Sequence, residues 1–157
     1  MNYNVTLRPI TADDQEFLSG LYASTRQDEM ALVDWPAEKK TEFLQMQFQA
    51  QHTFYMEQFI GAAFDLLVLN GQPIGRLYLD RRVDELRIID IALLPECRNQ
   101  GLGSRLMKGI LAEAEAAGLP VRIHVEHYNP ARRLYQRLGF KEIETNGVYY
   151  LMEWTSQ

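Results

Sequence analysis

Cysteine is all but missing from this 157-residue chain: Cys97 stands alone, which excludes an intramolecular disulfide and fits a reducing compartment. Long apolar runs are missing too, so no membrane association is expected, and the opening stretch MNYNVTLRPI has no signal-peptide layout. A cytoplasmic location is the resulting expectation. Positive charge is in deficit, with 16 Lys and Arg against 21 Asp and Glu, a net charge of −5. Nonspecific binding to nucleic acid is therefore not expected, although Arg132, Arg133 and Arg137 form a local basic patch. The three histidines, His52, His124 and His127, show no metal-ligand spacing, and no metal is expected. Internal repeats, low-complexity tracts and Gly/Ser linkers are absent, so residues 1–157 read as a single domain.

What is present is an alternation of short apolar elements. Val5 to Pro9 reads as a strand, and Thr11 as the N-cap of a helix reaching about Ser24. Asp34-Trp35-Pro36 announces a second helix, with proline in its first turn, running to about Glu57. Its aromatic series, Phe43, Phe48, Phe54, Tyr55 and Phe59, is expected to be core packing before a substrate wall. Strands Phe64 to Leu69 and Pro73 to Asp80 flank the hairpin pair Asn70-Gly71, and Glu85 to Leu94 follows as a third strand. Leu102, Leu106, Ile110, Leu111 and Ala114 mark one face of a helix that ends at Gly118. Val121, Ile123 and Val125 then alternate with Arg122, His124 and Glu126 at the period of a strand. Asn129 caps a short helix with Pro130 at its first position and Gly139 beyond its end, and Phe140 to Ile143 and Val148 to Trp154 close the chain as strands. A meander followed by a parallel crossover gives a mixed α/β sheet flanked by helices.

The densest signal is the stretch from Ile91 through Ala92, Leu93, Leu94 and Pro95 to Arg98, Asn99, Gln100, Gly101, Leu102, Gly103 and Ser104. An apolar strand, a turn and a glycine-rich helix start aim backbone N–H groups and the positive helix end at one point, which suits a diphosphate. Glycine at 101 and 103 keeps side chains off those amides, and Arg98 adds a cation at the rim. A dinucleotide fold would need a third glycine and an early strand, and a P-loop a Lys-Ser/Thr pair after the glycines; neither is there.

With Asn129-Pro130-Ala131-Arg132-Arg133-Leu134-Tyr135-Gln136-Arg137-Leu138-Gly139-Phe140 about thirty residues further on, the region from Ile89 to Phe140 resembles the GNAT-type (GCN5-related) N-acetyltransferases. Arg98, Gly101 and Gly103 meet that family's R/Q-x-x-G-x-G/A loop, and the later segment is similar to its N-P-A-x-x-L-Y-x-x-x-G-F ending. The resemblance implies a GNAT-like fold of strand, two helices, three-stranded meander, helix, strand, helix and two strands. It also implies transfer of an acetyl group from acetyl-CoA, as cosubstrate, to an amine acceptor. By the same resemblance the backbone of Ile91, Ala92 and Leu93 pairs with the pantetheine arm, Arg98 through Ser104 hold the pyrophosphate, and Asn129 and Arg132 lie at the cofactor. Cys97 stands where an aromatic is frequent in the family, Asn99 where glycine or arginine is, and His124 where many relatives carry glutamate.

Amide formation from a thioester needs a neutral amine, stabilisation of the oxyanion and a proton for the departing thiolate. Tyr135, a turn and a half beyond Asn129, is the expected acid, being protonated at neutral pH. His124 and Glu126, on one face of their strand, are candidate bases, with Asp90 and ordered water as alternatives. Cys97 as acetyl acceptor is disfavoured by its place beside the phosphates, even though helix N-termini depress thiol pKa. The expected reaction is direct attack by an amine of a small molecule or a peptide; the alternative is an acyl-CoA-binding sensor or scaffold without turnover. A homodimer is left open, as are the acceptor and the base.

Overall fold

The computed structural model describes residues 4–156. Its elements run β1 (Val5–Pro9), α1 (Gln15–Thr25), α2 (Gln27–Ala31), α3 (Ala37–Gln58), β2 (Ala63–Leu69), β3 (Gln72–Arg81), β4 (Leu86–Leu93), α4 (Leu102–Ala117), β5 (Val121–Glu126), α5 (Arg132–Arg137), β6 (Lys141–Asn146) and β7 (Tyr149–Trp154). The strands form a seven-stranded mixed sheet in the order β1-β2-β3-β4-β5-β7-β6, as a mixed α/β sheet requires. β1 runs antiparallel to β2, β4 parallel to β5, and β7 antiparallel to both β5 and β6.

The chain divides into two compact units, one reaching Leu77 and including Ala92–Cys97, the other comprising Tyr78–Ile91 and everything from Arg98. The first unit buries Leu18, Tyr22, Phe48 and Leu66, with Ile10, Phe17, Leu44 and Val68 packed against them. Here the start of the first helix differs from the expectation. Thr11 does form a capping box, but with Asp14 over a 3-10 turn at Ala12–Asp14, and α1 begins only at Gln15. Asp14 is held there by a two-pronged hydrogen bond from the Arg8 guanidinium at 3.0 and 2.9 Å and by the Thr11 amide at 2.7 Å. Pro36 is the extended residue preceding α3 rather than a member of its first turn, since its ψ of 150° lies outside the helical range. α2, only five residues long and without a buried side chain, left no periodic trace to read. Asn70 and Gly71 both take positive φ, 53° and 79°, as a tight hairpin turn demands.

In the second unit Val121, Ile123 and Val125 are buried on β5 while His124 is exposed, as alternation requires. Leu102, Met107, Ile110, Leu111 and Ala114 are the buried side of α4, so Met107 takes the place expected of Leu106. α5 starts at Arg132 instead of Pro130: Asn129 Oδ1 accepts from the Ala131 amide at 2.9 Å, and that turn precedes the helix. β6 begins at Lys141 and extends to Asn146, longer than expected, because Gly147, at φ 61°, makes the turn to β7.

Glu85 is the buried charge of this unit. It accepts from Arg87 at 2.7 Å and from Arg122 at 3.2 Å, and Arg122 also holds Glu153 at 2.8 Å. Burial pushes the Glu85 carboxyl up, but the hydrogen bonds and charges of Arg87 and then Arg122 outweigh it and hold the group below its ordinary value. A depressed folded pKa gives stability that is complete above the ordinary carboxylate range and is lost as pH falls through the folded value. Glu85→Gln is expected to cost about 2 kcal/mol at neutral pH, a typical cost for losing hydrogen bonds to charged groups. The difference from wild type should shrink on acidification, as urea unfolding at a series of pH values would measure.

Candidate active site

The parallel ladder between β4 and β5 is short. It pairs Leu86 with Val121, Arg87 with Arg122 and Ile88 with Ile123, and ends there, although both strands continue. β5 keeps its other neighbour throughout, from Val121 opposite Trp154 to Glu126 opposite Tyr149. The β4–β5 ladder therefore covers only the first three residues of each strand.

After β4 the second unit resumes at Arg98. Asn99 and Gly101 both take left-handed backbone, φ 60° and 80°, and Gly101 is the residue immediately before α4. Among the described residues no side chain caps this helix, so the first-turn amides are without the usual internal acceptor. A Cβ built on Gly101 meets nothing within 4 Å, so its left-handed backbone, and not crowding, is what favours glycine there. Left-handed turns joined to an uncapped helix start form a concave set of N–H groups suited to phosphate oxygens. Leu102 anchors this turn by being buried, whereas Gly101 is exposed. Gly103 sits 3.8 Å (as Cβ) from Leu134 of α5, an ordinary contact.

Tyr135 is 4% exposed and its ring packs on Phe140 at 5.7 Å. Burial, and then the charge of Asp90, push its phenol well above the ordinary value, so it is a neutral O–H donor over the whole working range. His124 has other company. Its Nδ1 lies 3.3 Å from the Arg87 guanidinium, and burial followed by the Arg87 charge lowers its pKa, with Glu144 and Glu85 opposing. The charges that act on His124 do not include the one that acts on Tyr135. Glu126 shares the strand face of His124 by alternation.

The remaining expected residues are placed as follows. Ile91 ends the β4 portion of this unit; Ala92 and Leu93 belong to the first unit, where Gly75 lies against them. A Cβ on Gly75 would come 2.2 Å from the Ala92 carbonyl oxygen and 3.1 Å from the Leu93 Cα, and the Leu94 amide bonds the Ile74 carbonyl at 2.8 Å. Sequence reading passed over Gly75; a lone glycine inside a strand pattern was the available signal. Arg132 donates to the His127 carbonyl and to Glu142 and stacks on Tyr150 at 4.5 Å, so its guanidinium ties the loop after β5 to β6 and β7. Asn129, exposed, caps the turn before α5. For Cys97, disfavoured as acetyl acceptor, burial and then Glu96 raise the thiol pKa, which weakens it further as a nucleophile.

The family model described as Acetyltransferase (GNAT) family matches residues 21–140. The chain belongs to the GNAT family. Within the family it is 31% identical over 85 residues to the ribosomal protein bS18-alanine N-acetyltransferase of Haemophilus influenzae, a match covering 54% of this chain and 58% of that relative. Among solved structures it is similar to the PaiA N-acetyltransferase of Thermoplasma acidophilum in complex with coenzyme A, with TM-score 0.72 and 17% identity over 97% of this chain and 99% of the other. It is likewise similar to the ribosomal-protein-S18-alanine N-acetyltransferase of Escherichia coli, with TM-score 0.62 and 21% identity over 97% of this chain and 94% of the other. These likenesses confirm the GNAT fold anticipated from the two motifs. No helix among the described residues is long and apolar enough to cross a membrane.

The two glycines of the GNAT loop differ in what they require. Gly101→Ala is expected to destabilise by about 1–2 kcal/mol, the cost of left-handed backbone for a residue with Cβ. Gly103→Ala fits its surroundings and is expected to be neutral or slightly stabilising. Thermal unfolding of the two variants separates the cases.

Proposed function

We propose that this GNAT chain transfers an acetyl group from acetyl-CoA to the primary amine of a small molecule or peptide by direct attack, without an acyl-enzyme. The observation that carries the reading is the uncapped start of α4, with left-handed Asn99 and Gly101 before it. Residues Arg98 through Ser104 would hold the diphosphate of the coenzyme, which brings the activated acyl group as a thioester. The coenzyme A named in the Thermoplasma structure supports the choice of donor.

Tyr135 would donate a hydrogen bond to the departing sulfur. A free thiol has a pKa near 8.5, and the phenol is held far above that, so the bond stabilises developing charge without complete transfer of the phenolic proton. His124 would take the proton of the incoming ammonium. Its lowered pKa keeps it neutral, and hence able to accept, at neutral pH. Glu126 or a water relayed to it stands behind His124 as the other base, and Asp90 is better used beside Tyr135 than as a base. Peptides with N-terminal alanine belong in the acceptor panel because of the two alanine N-acetyltransferase relatives.

Thiol release from acetyl-CoA over such a panel tests the reading. Acceptor-dependent release is expected, and coenzyme binding without it would favour the sensor. Tyr135→Phe should lower kcat by roughly 10²–10⁴ with coenzyme affinity nearly unchanged, whereas Gly101→Val should weaken coenzyme binding measured by calorimetry.

The pH profile tests the base. Activity should fall as pH drops through a value below the ordinary histidine pKa of about 6.5. Removing the lowering charge with Arg87→Met should shift that limb upward, and His124→Gln should abolish it. No alkaline limb from Tyr135 is expected below pH of about 10, the free phenol value.

A further inference from the structure

We propose that the outer face of α3 is the interface of a two-fold symmetric dimer of this chain. The inference rests on the first unit alone and is independent of the acetyl-transfer reading. α3 carries two apolar faces. One contains Leu44, Phe48, Tyr55 and Phe59, of which Phe48 is fully buried against α1 and β2 residues. The other contains Phe43, Met46, Ala50 and Phe54, spaced by three and four residues and therefore on one stripe. Met46 is 62% and Phe54 54% exposed. The core expectation holds for Phe48, whereas Phe43, Tyr55 and Phe59 are half-buried and Phe54 is exposed.

The stripe has a pocket at one end and an exposed ring at the other. At its N-terminal end an open pocket of about 240 Å³ is lined by Trp35, Lys39, Glu42, Phe43 and Met46. Its walls are rigid: Trp35 packs edge-on against Phe43 at 5.3 Å, and Lys39 Nζ lies 4.6 Å from the Trp35 ring. At its C-terminal end Phe54 projects from the same stripe, backed by Phe59 at 6.4 Å. Turning a second copy about an axis near residue 48 puts each Phe54 opposite the Phe43 end of the other helix, where the pocket can receive it. Ala50, the small residue of the stripe, then faces Met46 of the other copy and lets the helix axes approach.

The charges are self-complementary. Lys39 lies four residues before Phe43 and Glu57 three after Phe54, on the same stripe. An antiparallel copy sets each Lys39 against the other copy's Glu57, whereas a parallel copy would set like charges together. An isologous contact of this kind closes on itself at two copies.

Sedimentation of the full chain across roughly 1–100 µM should show concentration-dependent dimers, the range in which a micromolar Kd is visible. Phe54→Glu is expected to raise Kd at least about tenfold, with Phe54→Ser as the milder change should glutamate impair folding. Lys39→Glu or Glu57→Lys alone should weaken the dimer, and the double variant should restore it. A chain that stays monomeric throughout, a dimer indifferent to the Phe54 changes, or a double variant no better than the single ones would each overturn the proposal.

Discussion

The short parallel ladder between β4 and β5, from Leu86–Val121 to Ile88–Ile123, is the constraint on which the proposed site depends. A parallel pair normally satisfies its main chain along its whole length. Here β5 stays paired with β7 at every residue, from Val121 to Glu126. The residues proposed to carry the chemistry lie on these elements: Asp90 on β4, His124 and Glu126 on β5, and Tyr135 on α5, the helix that follows β5.

Electrostatics within the second unit keeps two ionisable groups in opposite roles. Tyr135 is buried beside Asp90 and remains protonated, a fixed donor. The His124 pKa is lowered, by burial and then by the Arg87 charge. Arg87 can act on His124 because it is itself anchored: Glu85 grips its guanidinium at 2.7 Å and is in turn shared with Arg122. A buried carboxylate that looks purely architectural thereby reaches, through one arginine, the group proposed to move the acceptor's proton.

Much of this was legible in the sequence, and the reasons differ by residue. The Gly101 loop was readable because left-handed backbone restricts the residue type, and Asn70-Gly71 for the same reason. The second motif was readable because α5 is short and every turn of it is constrained, from the Asn129 cap to the Gly139 stop. Its start was misplaced by two residues, since a capped turn and a helix begin with the same residue types. α2 was invisible because five exposed residues leave no period. Phe48 is core as expected, but Phe54 is exposed, because a period reveals which residues share a face but not whether anything lies against it. The separate surroundings of Tyr135 and His124 were beyond reach: they depend on contacts with Asp90 and Arg87 that no local spacing encodes.

Gly75 shows that a residue without a side chain can set the course of a strand. Its missing side chain is what allows one strand to lie against the Ala92 carbonyl. With even a methyl group there, the neighbouring main chain would have to retreat, and the last residues of β4 would be carried with it. The narrowest tolerance in the first unit therefore belongs to a residue with no functional group at all. A search confined to reactive side chains would rank it last, although it decides where the end of the strand stands.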